Sequence, residues 1–94
     1  MNKQLSGNPT DLRQFANALR TFLSYTNETY DEAKMRLVRL NETWTGEGFD
    51  QFSADFIASE NRLLLFIEQG RNVIQELEME AEKLERLVQA QQRR

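Results

Sequence analysis

The sequence predicts an all-α protein, an antiparallel helix-turn-helix hairpin that dimerises into a four-helix bundle. Three observations carry that prediction. Between Pro9 and Glu42 the chain has no Gly and no further Pro. Gly46 and Gly48 then stand one residue apart in the middle of the chain, and Gly costs a helix interior roughly 1 kcal/mol relative to Ala. On both sides of this break apolar residues recur at helical spacing, over faces wider than one neighbouring helix can cover.

Composition limits what such a chain can do. Its 94 residues suffice for one domain. The net charge is -3 and the pI about 5.0, whereas a general polyanion binder is basic, so nucleic acid is not an expected partner. The absence of Cys and His removes disulfides, zinc sites of the usual kind, Cys nucleophiles and histidine acid–base chemistry. No cofactor is expected. The first residues, Met1 to Gly7, are polar and carry no signal-peptide pattern. The longest apolar run, Leu63 to Ile67, is far short of the roughly 20 residues that span a bilayer.

The first element follows a loose start over residues 1–7. Asn8 is a helix N-cap, Pro9 takes the first helical position and Asp11 lies in the first turn, so a helix is predicted over residues 9–43. Its apolar and small residues fall on three adjacent rows with a spacing of seven: Leu12, Leu19, Thr26, Ala33 and Leu40; Phe15, Phe22 and Thr29; Ala16, Leu23, Tyr30, Leu37 and Trp44. At about 100° per residue these rows cover an arc of roughly 100°. Met35 and Val38 widen it near the break, and Glu32 and Arg36 make a favourable i,i+4 pair.

The turn is placed at residues 44–48, with Trp44, Gly46 and Gly48 as its motif. The second helix is predicted over residues 49–88, with Thr45 a candidate N-cap and Glu47 and Asp50 in the first turn. Its stripe runs through Phe49, Phe52, Phe56, Ser59, Leu63, Ile67, Gly70, Ile74, Leu77, Ala81, Leu84 and Val88, thickened by Phe66, Val73 and Leu87. The acids from Glu76 to Glu85 read as a solvated face. With the reversal at Gly46, position 10 falls opposite about position 82 at 1.5 Å per residue. Leu84, Leu87 and Val88 then overhang the paired length, either as a candidate docking tail or as a fraying end, and residues 89–94 are expected to be flexible.

Two helices side by side bury one stripe each. The expected core and dimer interface therefore comprises Leu12, Phe15, Leu19, Phe22, Leu23 and Leu37 on the first helix. On the second it comprises Phe49, Phe52, Phe56, Leu63, Phe66 and Ile67. Exposed, that much apolar surface would be an interface or a liability, and a second hairpin would cover it.

A chain of this length with Trp44-Thr45-Gly46 at the tip of a helical hairpin resembles the WXG-hundred family, the small early-secreted-antigen-like proteins of bacterial type VII secretion. The small Gly48, the aromatics Phe49, Phe52 and Phe56 after the tip, and the Pro-containing helix start at Asn8-Pro9 add to the likeness, which covers residues 8 to about 88. The resemblance implies a non-enzymatic hairpin that pairs with itself or with a related WXG-type chain. It implies export from the cytoplasm without a cleaved signal, as an effector or as an escort that brings a larger toxin to the secretion ATPase. It also implies that Trp44 and Gly46 take part in export recognition. One feature departs from the family pattern: the only tyrosines, Tyr25 and Tyr30, lie in the first helix, and neither has an acid four residues on. The C-terminal Tyr-x-x-x-Asp/Glu signal of many exported members is missing.

Catalysis would have to rest on carboxylates, Ser, Lys or Tyr, and Ser24, Ser53 and Ser59 have no evident base. A cytosolic adaptor that shields the N-terminal helices of a toxin would use the same surface as an exported dimer. Stable membrane insertion is not expected, because the polar faces are mixed or acidic rather than cationic.

Overall fold

The computed structural model describes residues 7–92, and two helices account for nearly all of them: α1, Pro9–Leu40, and α2, Glu47–Gln92. Among the described residues there is no strand. The connectivity is that of a helical hairpin. The expected loose start falls largely on residues 1–6, outside the described residues, as do residues 93–94.

The helix ends follow local chemistry. Asn8 caps α1: its side-chain Oδ1 accepts from the Thr10 amide at 2.9 Å, and its carbonyl accepts from the Leu12 amide at 3.1 Å. At the other end the Leu40 carbonyl accepts from the Thr43 amide at 3.1 Å and from the Trp44 amide at 2.8 Å. Those turns close the helix three residues before the predicted boundary of 43. α2 begins two residues before its predicted start. The Gly46 carbonyl accepts its first bond, from the Asp50 amide at 3.0 Å, so Gly46 and not Thr45 is the N-cap. Gly46 has φ +109°, a backbone conformation that only glycine takes without strain. α2 also runs on through residues 89–92, placed by the sequence reading in a flexible tail.

The contacts gather into two compact units through which both helices pass. The unit that holds the turn spans Phe22–Gln69, and its buried seam is Leu23 and Leu37 of α1 against Phe49 and Ile67 of α2. The unit that holds the chain ends has a seam of Ala16 of α1 with Ile74, Ala81 and Leu84 of α2. The small Ala16 and Ala81 are almost wholly buried, which lets two helices approach closely where a larger residue would hold them apart.

Candidate protein-interaction surface

The unit containing the turn has two apolar walls. On one, Phe22 meets Phe66 edge-on with ring centroids 6.3 Å apart. Toward the turn a groove of about 370 Å³ is lined by Ala33, Arg36, Leu37, Leu40, Phe52 and Phe56. The second wall holds a groove of about 250 Å³, lined by Lys34, Leu37, Val38, Asn41, Phe49, Ser53 and Ile57. Leu37 reaches both grooves, so each is cut into a flank of the same helix–helix seam.

At the turn Trp44 packs on two rings, Phe49 at 5.6 Å nearly perpendicular and Phe52 at 5.8 Å tilted. Gly48 lies under the indole: a Cβ there would stand 3.5 Å from Trp44 Cζ2, in ordinary contact. Farther along, the Tyr30 and Phe56 rings stack with centroids 5.3 Å apart. The Tyr30 hydroxyl is buried without a hydrogen-bond partner. Burial first, and then the charge of Glu60, holds its pKa above that of an ordinary phenol. Glu60 accepts hydrogen bonds from Lys34 Nζ at 3.0 and 3.3 Å, and these together with its charge raise the Lys34 pKa.

In the unit of the chain ends, cations of α1 meet acids of α2. Arg13 donates two hydrogen bonds to Glu85, and Arg20 bonds Glu78 at 2.7 Å. Hydrogen bonding to Arg13 holds the Glu85 carboxyl below its usual range and raises the Arg13 pKa. The acidic run read as a solvated face is therefore divided. Glu78 and Glu85 reach across to α1, while Glu80 and Glu82 pair along α2 with Lys83 and Arg86.

The expected core residues separate into two groups. Leu23, Leu37, Phe49 and Ile67 are buried, and Leu12, Leu19, Phe56 and Leu63 are half-buried. Phe15, Phe22, Phe52 and Phe66 are exposed, Phe22 at 51%. They are not core within this chain, because their rows lie beside the seam and not on it. Of the expected overhang, Leu87 and Val88 are exposed, but Leu84 is buried at 6% beside Gly7. The Arg13–Glu85 bond holds the adjoining residue of α2 against α1, so Leu84 is packed rather than free to dock.

The sequence reading did not single out Arg13, Arg20, Lys34 or Ile57. A signal for the three cations existed: 13, 20 and 34 fall on one heptad row of α1. For Ile57 the signal was the row Asp50, Ile57, Leu64, hidden by the stronger phenylalanine stripe. Compared with protein-family models, with curated proteins and with solved structures, the chain has no match. Among the described residues no helix is long and apolar enough to cross a membrane, and no cluster of acidic side chains could hold a metal ion.

Proposed function

We propose that this chain is a non-enzymatic WXG-type hairpin of a bacterial type VII secretion system, which pairs with a second copy or a related chain as a four-helix bundle. In the cytoplasm the pair forms before export, and it leaves the cell as an effector or as the escort of a larger toxin. The observation that carries this reading is the phenylalanine wall. Phe22, Phe52 and Phe66 stay about half exposed, and Phe52 also lines an open groove, while Leu23, Leu37, Phe49 and Ile67 fill the seam. Large aromatics left uncovered on a helix pair mark an interface, and the wall adjoins a turn built from Trp44 and Gly46, the pattern that resembles the family.

A second reading puts the same exposed wall to another use, in a cytosolic adaptor that pairs with the N-terminal helices of a toxin. Light scattering after size exclusion tests the pairing. A mass near twice 11.1 kDa that falls to the single-chain value in Phe22→Ser/Phe66→Ser supports self-pairing, and a single-chain mass for the unaltered protein rules it out. Export is tested in a bacterium with a type VII system. Appearance in the medium that stops when the secretion ATPase is deleted supports an exported chain. Retention in the cytosol, bound to a toxin, supports the adaptor.

A further inference from the structure

The groove on the wall away from Phe22, Phe52 and Phe66 is not used by the pairing just proposed. Its apolar walls are exposed: Val38 at 70% is among the most exposed apolar residues of the chain, and Ile57 stands at 51%. Phe49 and Ser53 line it from α2 together with Ile57. A continuation of the apolar surface along α2 is supplied by Leu64, a heptad beyond Ile57 and also exposed.

Lys34 lines the groove, but the unit around it is net negative. The unit Phe22–Gln69 carries nine Asp or Glu against four Lys or Arg, a net charge of -5. Two of the four cations are neutralised in place, Lys34 by Glu60 and Arg36 by Glu32. On the α1 wall Asp31 lies one heptad before Val38, and on the α2 wall Asp50 lies one heptad before Ile57. Because the helices run in opposite directions, these carboxylates mark opposite ends of the groove, with Glu42 beside Asn41 at the turn end. Neither Asp31 nor Asp50 forms an ion pair among the described residues.

We infer that the Val38–Ile57 groove is a second docking site, whose occupant is a basic amphipathic helix of a partner protein. The groove takes the apolar stripe of such a helix, and Asp31, Glu42 and Asp50 take lysines or arginines flanking that stripe. The turn-side unit of a further copy fits less well, since it carries the same net charge of -5. The inference rests on the pairing reading only in that the phenylalanine wall is assigned to the other chain of the pair.

The test uses the full chain and a fluorescein-labelled synthetic 18-residue helix with leucines at i, i+3, i+4 and i+7 and lysines beside them. A control peptide carries glutamates in place of the lysines. Fluorescence anisotropy should show saturable binding of one lysine peptide per chain, at least tenfold tighter than the glutamate peptide and weakening as salt rises. Val38→Glu and Ile57→Glu replace exposed side chains and should each weaken binding at least tenfold with the helix content unchanged by circular dichroism. Asp31→Asn/Asp50→Asn should flatten the salt dependence. Equal affinity for the two peptides, or unaltered binding to Ile57→Glu, would overturn the inference. The same variants are weighed by light scattering. If Ile57→Glu halves the mass of a dimer, the groove is the self-pairing face and the inference fails, while pairing itself stands. If Phe22→Ser/Phe66→Ser leaves the mass unchanged but Ile57→Glu abolishes peptide binding, the inference stands and the phenylalanine pairing fails.

Discussion

Arg13 holds Glu85 by a fork of two hydrogen bonds, Nη2 to Oε1 at 2.6 Å and Nε to Oε2 at 3.1 Å. Paired planar groups of this kind define a geometry better than single-point contacts do. Here the fork sets the register of α2 against the first turns of α1, and Leu84 follows it into the seam.

That bond makes stability depend on acid. The Glu85 carboxyl is held below its unfolded pKa. Its contribution is therefore present above the unfolded value and is lost as pH falls through the folded one. Thermal melts of the wild type and of Glu85→Gln should differ most near neutral pH and converge as pH drops below about 4. Both groups are exposed to solvent, so the difference should also shrink in high salt. A constant gap between pH 7 and pH 3 would show that the bond does not form in solution.

The two turn glycines should respond to Ala with opposite signs. Gly46 needs its φ of +109°, so Gly46→Ala should destabilise by about 1 kcal/mol or more although nothing stands within 4 Å of the new methyl. Gly48 is helical, and its new methyl would make an ordinary contact with Trp44. Gly48→Ala should therefore stabilise by about 0.5–1 kcal/mol. Urea unfolding of both variants decides the point, and equal effects would be inconsistent with this turn.

Seam and wall should separate cleanly. Ile67 is 4% exposed, and Ile67→Ala should cost about 2–4 kcal/mol in any state of assembly. Phe22→Ala removes a ring that is half exposed in the single chain. In urea titrations it should cost much less than Ile67→Ala at low protein concentration, with a penalty that grows with concentration as pairing sets in. A large penalty independent of concentration would place Phe22 in the core of one chain.

Tyr30→Phe keeps the ring stacked on Phe56 and deletes a buried hydroxyl without a hydrogen-bond partner. Removal of such a group should leave the melting temperature equal or higher. The raised phenol pKa adds a second readout: the folded state favours the protonated hydroxyl, so that contribution is present at neutral pH and lost as pH rises through the folded pKa. The variant should resist alkaline unfolding better than the wild type above about pH 10. A lower melting temperature at pH 7 would reveal a bond from Tyr30 in solution.

Several features were legible in the residues themselves because each depends on near neighbours in the chain. Asn8, Pro9 and Asp11 specify the start of α1 through bonds that span two to four residues. The Gly46–Gly48 break specifies where the chain reverses, since its backbone demand is met only by glycine. The period of the apolar residues identifies two helices and places the buried Leu23, Leu37, Phe49 and Ile67 in one core-or-interface set with the exposed Phe15, Phe22, Phe52 and Phe66. What the period does not contain is the rotation of each helix about its own axis. An apolar arc wider than one neighbour leaves open which row faces inward, and tertiary packing chose the row of Ala16, Leu23 and Leu37 over that of Phe15 and Phe22. The side-chain bonds across the seam were likewise invisible, because Arg13 and Glu85 stand 72 residues apart. Their pairing sets the register that buries Leu84 and leaves Leu87 and Val88 exposed. Local sequence thus determined the helices and the turn, while only the packing of helix on helix decided which apolar residues are core and which remain surface.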